Sequence, residues 1–209
     1  NLIEFVDGAS FLGFSDWQDL VETGGEGWTY GLELFLQKKV GKLSGWIGYT
    51  LAWSNRKFNE INFGEEYPYK YDRRHDLSIV ASYEFNHRID IAATWVYGTG
   101  NAITMPIATF PGFEYYKGHN LTDFQYYGGK NSYRMNPYHR FDISINFKKV
   151  KKRVDQVWSI GLYNAYNRKN PFFIYFAREY KDNTGAYTNQ ARQVSVFPII
   201  PSVSYSFKF

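Results

Sequence analysis

The stretch LSIVASYEFNHRIDIAATWVYG, residues Leu77–Gly98, decides the fold class. Up to Phe85 its odd positions are Leu77, Ile79, Ala81, Tyr83 and Phe85, alternating with Asp76, Ser78, Val80, Ser82 and Glu84. After Asn86-His87 the alternation resumes, with Ile89, Ile91, Ala93, Trp95 and Tyr97 set against Asp90, Ala92, Thr94, Val96 and Gly98. Successive side chains of an extended chain point to opposite faces. This period of two therefore predicts a β-hairpin with one apolar and one mostly polar face.

The same pattern runs outward in both directions. Downstream, Phe141, Ile143, Ile145 and Phe147 alternate with Asp142, Ser144, Asn146 and Lys148, and Val203, Tyr205, Phe207 and Phe209 alternate with Ser202, Ser204, Ser206 and Lys208. Upstream, residues 27–39 place Trp28, Tyr30, Leu32, Leu34 and Leu36 on one face and turn through Val40-Gly41-Lys42 into a strand over 43–54. The face of that strand is ambiguous: Ile47, Tyr49, Leu51 and Trp53 form the better apolar set, but Trp46 sits on the other side. Residues 156–166 supply Trp158, Ile160 and Leu162, and the aromatic run Phe172–Phe176 is expected to carry that strand on beyond Asn170-Pro171. Pro171, Pro198 and Pro201 lack the N–H that a central ladder needs, so they predict strand extensions or bulges.

Alternation alone fits a soluble β-sandwich equally well, so strand length and connections decide. The runs cover about 10 to 13 residues, longer than the roughly 5–6 of soluble strands and matched to a tilted bilayer crossing. Short turns at 40–42, 86–88 and 149–154 alternate with long polar-aromatic stretches at 55–75, 99–138 and 177–190. Brief turns on one side and long loops on the other are the signature of an outer-membrane β-barrel. With the short turns inside, seven strands of alternating direction result, plus the tip of an eighth in Leu2–Phe5. Trp28, Tyr30, Trp53, Trp95 and Tyr97 then fall at outer strand ends, and Tyr83, Phe85, Trp158 and Phe209 at inner ends, as aromatic belts do. The expected fold is all-β, an antiparallel transmembrane β-barrel that needs further strands to close its edges.

Composition is consistent with this. The 209 residues include 19 Tyr, 18 Phe and 6 Trp but no Cys, and the mean hydropathy is −0.46. Such polarity excludes membrane helices, which need about 20 consecutive apolar residues, but not barrel strands, which interleave wet and greasy positions. Without Cys there is no disulfide framework and no thiolate metal site. The net charge of +4 is mild and the basic residues are scattered apart from Lys148, Lys149, Lys151, Lys152 and Arg153, which argues against nucleic acid. The chain starts at Asn1 without Met or a signal region, so residues upstream are expected.

Four segments carry a family resemblance: Tyr71-Asp72-Arg73-Arg74-His75-Asp76, Trp95-Val96-Tyr97-Gly98-Thr99-Gly100, Asn164-Ala165-Tyr166-Asn167-Arg168-Lys169-Asn170-Pro171 and Ser204-Tyr205-Ser206-Phe207-Lys208-Phe209. Together they resemble the C-terminal third of the TonB-dependent receptors of Gram-negative outer membranes, and the likeness spans nearly the whole chain. It implies that residues 1–209 are the C-terminal segment of a barrel of about 22 strands, whose plug domain and TonB box lie outside this chain. The implied partners are outer-membrane lipid, the protein's own N-terminal barrel and plug segments, TonB through the upstream region and the barrel-assembly machinery; a surface lipoprotein is a further candidate, under the alternative in which the barrel is an anchor. Tyr205, Phe207 and the terminal Phe209 resemble the assembly signal that this machinery recognises, a feature shared by many barrel families.

Candidate chemistry is sparse. Asp72, Arg73, Arg74, His75 and Asp76 form the densest charge cluster. A His beside carboxylates fits an acid/base pair or a metal site, but a lumen-side ion-pair network accounts for both signs of charge without a further assumption. His87, His119 and His139 stand alone, so no metal and no cofactor is expected. Ser44, Ser78, Ser82, Ser159, Ser202, Ser204 and Ser206 read as polar-face filler, none in a Gly-x-Ser-x-Gly elbow, so no catalytic residue and no enzyme is expected. The 99–138 loop holds Phe113, Tyr115, Tyr116, Tyr126 and Tyr127. These either stack a sugar, a peptide or a siderophore, or pack the loop on itself or on a partner.

Active import of a scarce solute across the outer membrane is the expected function. A passive porin, a barrel with a rim-site enzyme and an anchor for a surface complex are the alternatives, which an upstream plug domain would disfavour. Deleting Phe209 is expected to lower the amount of heat-modifiable barrel in the outer membrane, measured by semi-native electrophoresis of membrane fractions. Unchanged levels would count against this reading of the terminus.

Overall fold

The structure, a computed structural model, describes residues 2–5, 21–110, 124–150, 154–181 and 186–208. Its first strands are β1 (Leu2–Phe5), β2 (Val21–Lys38), β3 (Leu43–Lys57), β4 (Tyr67–Pro68), β5 (His75–Asn86), β6 (Ile89–Gly98), β7 (Ala102–Ile103) and β8 (Pro106–Phe110). There follow β9 (Phe124–Tyr127), β10 (Tyr133–Arg134), β11 (Tyr138–Val150), β12 (Asp155–Tyr163), β13 (Pro171–Lys181), β14 (Ala186–Ser195) and β15 (Ile200–Lys208). Among the described residues there is no α-helix, only a 3-10 turn at Asn62–Gly64.

The fold is all-β and antiparallel. The main sheet runs in the order β1-β2-β3-β5-β6-β11-β12-β15, with β4 added on β3. That is the meander of seven long strands and the tip of an eighth that alternation predicts. The sheet is open, with β1 and β15 as its edges among the described residues. By contacts the chain divides into two compact units. The first comprises Asn1–Leu32, Ala52–Arg74 and Gly100–Met135, the second Glu33–Leu51, His75–Thr99 and Asn136–Phe209.

In the second unit the register sorts side chains by chemistry. One row across the strands is Ile47, Ile79, Trp95 and Phe141. Further along come Ala81, Ala93, Ile143 and Leu162, then Leu43, Tyr83, Ile91, Ile145, Ile160 and Val203. The intervening rows, on the opposite face, read Ser44, Ser82, Ala92, Ser144, Gly161 and Ser202, then Glu84, Asp90, Asn146, Ser159 and Ser204.

Large side chains of the apolar face are exposed. Leu34 is 54% exposed, Ile160 51% and Val203 66%, whereas Asp90 on the polar face is only 7% exposed. A water-soluble sheet hides its apolar face in a core; here the polar face holds the internal bonds. Asn146 Nδ2 donates to Asp90 Oδ2 at 2.7 Å, Ser159 Oγ donates to Asn146 Oδ1 at 2.6 Å, and Lys148 Nζ lies 2.5 Å from Asp90 Oδ1. Such cross-strand pairs tie the strands together through polar groups rather than packing.

Local chemistry explains the connections. The β5–β6 turn is made by Asn86, whose Oδ1 accepts from the backbone N–H of Arg88 at 2.9 Å and of Ile89 at 3.1 Å, an Asx turn. Gly45 permits close strand approach, because a Cβ there would lie 2.1 Å from the Val80 carbonyl oxygen. The ambiguity over 43–54 has a packing answer. Ile47 and Tyr49 take the apolar face, while Trp46 is on the polar face against Phe35, with ring centroids 5.8 Å apart. Pro201 is in the edge strand β15, where a missing N–H is tolerated.

Two expectations are corrected. Phe172–Phe176 do not continue β12. That strand ends at Tyr163, Asn164 and Asn167 take positive φ of 52° and 53°, and the aromatics belong to β13, which pairs with β14 in a separate two-stranded sheet. The long stretches are also not plain loops. In the first unit, β7 pairs with β10 and β8 with β9, so 99–138 contains nested hairpins too short for alternation to announce. A small core of Phe58, Ile61 and Tyr67, with Leu2 against it, supports that unit. Gly25 makes room for it, since a Cβ there would sit 2.2 Å from the Phe58 ring.

Candidate functional site

Of the charged run, Asp72, Arg73 and Arg74 fall in the first unit and His75 and Asp76 in the second. In the first unit Asp72, 1% exposed, accepts from the Ser54 backbone N–H at 2.7 Å and pairs with Arg74 Nη2 at 3.4 Å. Its strongest partner is Arg134, distant in sequence, which bonds both the Asp72 carboxylate and its backbone carbonyl. The Arg74 guanidinium lies 4.6 Å over the Trp53 ring, and Arg73 Nε reaches Asn101 Oδ1 at 3.4 Å. His75 and Asp76 belong to the second unit and, being successive in β5, point to opposite faces. His75 Nδ1 is 2.9 Å from Tyr49 OH, and its backbone N–H donates to Thr99 Oγ1 at 3.0 Å. A buried carboxylate clasped by two guanidiniums is arranged to hold backbone.

Nearby in the first unit, Arg56 pairs with Glu4 at 2.7 Å and stacks 3.7 Å over Tyr69. Burial first, then Glu4, raises the Tyr67 phenol well above its ordinary range against an opposing pull from Arg56, so Tyr67 is a neutral phenol at physiological pH. Tyr126 and Tyr127 stand exposed on β9, with Tyr127 OH donating to Gln125 Oε1 at 2.7 Å. Phe113, Tyr115 and Tyr116 lie outside the described residues, as does Phe209. Tyr205 and Phe207 are on the exposed apolar side of β15, Tyr205 against Trp158 with centroids 4.8 Å apart. Among the described residues no three His, Asp or Glu gather into a metal site.

A different place in the second unit has the features of a binding site. A cavity of about 210 Å³ opens at the Tyr138 end of β11, lined by Tyr138, Arg140, Tyr163, Asn170, Pro171, Phe172, Val196 and Phe197. Arg140 is its centre. Its Nε donates to both Asp142 oxygens at 3.0 and 2.9 Å, and its Nη1 donates to Tyr138 OH at 2.8 Å and to Tyr163 OH at 2.7 Å. The guanidinium also lies 4.1 Å over the Tyr163 ring. A flat, fully charged group pinned on three sides keeps one fixed orientation.

Three asparagines at a spacing of three build the wall. Asn164, 0% exposed, takes the Asp142 carboxylate on its backbone N–H at 2.9 Å, donates from Nδ2 to the carbonyls of Arg168 at 2.9 Å and Phe197 at 3.0 Å, and accepts from Arg168 N–H at 3.0 Å. Asn167 Oδ1 accepts from Ile199 N–H at 3.0 Å. Asn170 brackets His139, accepting its N–H at 3.0 Å and donating to its carbonyl at 2.9 Å, as a neighbouring strand would. Phe197 sits at φ 59°, a conformation costly for an aromatic residue, and its ring meets Tyr163 edge-on with centroids 6.4 Å apart.

The polar-face aromatics Tyr138 and Tyr163, which interrupt the expected wet alternation, were the available sequence signal for this cavity, together with the Asn164, Asn167 and Asn170 spacing. Compared with protein-family models, curated proteins and solved structures, the chain matches none of them.

Asn164→Ala removes one acceptor and two donors from buried partners. It is expected to cost about 2–3 kcal/mol in a urea titration, with Asn164→Asp intermediate because the acceptor survives. A neutral Asn164→Ala would mean that this knot does not hold the wall.

Proposed function

We propose that the chain is the C-terminal part of an outer-membrane β-barrel of the TonB-dependent receptor type, which imports a scarce solute through a plugged lumen. The observation that carries the membrane half of this reading is the inverted sheet, with apolar side chains outside and ion pairs and amides on the other face. Leaving the exposed parts of Leu34, Leu36, Ile47, Ile145, Ile160 and Val203 in water would forfeit roughly 0.5–2 kcal/mol each, a sum that approaches the stability of a typical domain. That face needs a cover.

The ends of the face favour lipid over a second protein sheet. Tyr97 and His139 stack at one end, centroids 6.5 Å apart, and Trp158 meets Tyr205 at the other. Between the His139 and Phe147 rows, β11 rises about 27 Å at roughly 3.4 Å per residue, or about 20 Å along the normal at a 40° tilt. An outward apolar band of about 25 Å flanked by aromatic girdles has these proportions. The polar face, with serine, amide and ion-pair rows, suits a wet lumen. The import half rests on the family resemblance and on the cavity on that polar face; a plug domain and TonB box are expected elsewhere in the complete protein.

Leu34→Arg or Ile143→Arg, in the complete protein, is expected to cost about 2–4 kcal/mol in a denaturant titration from lipid vesicles, while Ser144→Arg on the polar face costs much less. Equal effects at positions 143 and 144 would sink the lipid-face assignment.

A further inference from the structure

We infer that the Arg140 cavity is a subsite for one ring of a neutral carbohydrate, and this deepens the import reading, on which its physiological role rests. Three observations point to the ligand's chemistry. The first is the unmet hydrogen-bonding capacity: with Nε on Asp142 and Nη1 on two phenols, Arg140 Nη2 has no acceptor among the described residues. Each phenol oxygen accepts from Nη1, and a hydrogen bond between Tyr138 and Tyr163 spends one phenolic hydrogen, which leaves the other as a further donor. An occupant must therefore bring oxygen acceptors.

The second is charge. The Asp142 carboxylate, 2.9 Å from Arg140, already balances the guanidinium, and the remaining lining residues Tyr138, Tyr163, Asn170, Phe172 and Phe197 are neutral. An anion would meet no uncompensated positive charge among the lining residues, and the Asp142 carboxylate beside the guanidinium would repel it. A neutral hydroxyl-bearing ligand carries no such cost.

The third is shape. Aromatic rings form the walls, and Phe172 and Phe197 are exposed enough to meet a guest at 63% and 60%. A pyranose ring has an apolar C–H face that packs on aromatic rings and a rim of hydroxyl oxygens that accept hydrogen bonds. At about 210 Å³ the cavity is below the roughly 300–1,000 Å³ of sites for drug-sized ligands, so it holds one ring, terminal or internal, of a larger molecule. The costly left-handed backbone of Phe197, held by Asn164, is the kind of strain that persists where a side chain must be aimed.

The test uses the complete protein purified in detergent, titrated by saturation-transfer NMR with the methyl glycosides of glucose, galactose, mannose and N-acetylglucosamine, and with benzoate and glucuronate as anionic probes. At least one neutral glycoside is expected to bind saturably in preference to both anions. Phe172→Ala, at an exposed position, is expected to weaken it about ten-fold while leaving the heat-modifiable barrel intact, and Tyr163→Phe, which keeps the ring but loses the hydroxyl, by a smaller factor. Overturning results are saturable binding of the anions alone, no saturable binding of any glycoside, or glycoside binding unchanged in both variants. None of these depends on membrane insertion, so the subsite can fail while the barrel stands; a protein absent from the outer-membrane fraction would instead sink the import reading.

Discussion

The whole arrangement depends on a sheet that leaves large apolar side chains exposed on one face and joins polar side chains to one another on the other. In water, burying apolar area is the dominant favourable term, and a strand with alternating chemistry turns its Leu and Ile inward. In this chain Ile47, Ile145 and Val203 are exposed, while Asp90, Asn146, Lys148 and Ser159 bind one another on the opposite face. Neighbouring strands are consequently held by ladder hydrogen bonds and polar cross-strand pairs. The greasy face contributes once it has an apolar solvent, and a bilayer supplies one without demanding a complementary protein surface.

The same constraint shapes the polar side, where the proposed binding site lies. A half-buried carboxylate or guanidinium must be paired, and Arg140 and Asp142 satisfy that need at the edge of the cavity that Arg140 lines. The asparagine knot around Asn164 ends β12, reverses the chain and fixes Phe197 against Tyr163. A turn that looks like punctuation in the sequence is thus the element that shapes the cavity.

Much of the fold was legible because period-two alternation is a direct image of strand geometry. The main-sheet strands, the Asn86 turn and the Val40-Gly41-Lys42 turn follow from it. Where alternation is short or broken, tertiary contacts took over. Two-residue strands such as β7 and β10 carry no periodicity, and the aromatic run from Phe172 looked like more of β12 because propensity cannot register that Asn164 and Asn167 have turned the chain. The charged run from Asp72 to Asp76 was legible as a cluster, but Arg134, which bonds the Asp72 carboxylate, is too distant in sequence for local inspection to find. The Arg140 cavity was hidden for the same reason: its walls come from β11, β12, the asparagine turn and the residues before β15.

The central claim, that the apolar face meets lipid, is tested most directly by scanning β11 one residue at a time. Because the chain contains no Cys, single cysteines introduced from Phe141 to Lys148 in the complete protein can carry a spin label without background, in outer-membrane vesicles. Accessibility to lipid-dissolved oxygen should peak at positions 141, 143, 145 and 147 and accessibility to a water-soluble nickel chelate at 142, 144, 146 and 148, a strict period of two in opposite phase. Nickel-chelate access at the odd positions, or no alternation at all, would contradict the account.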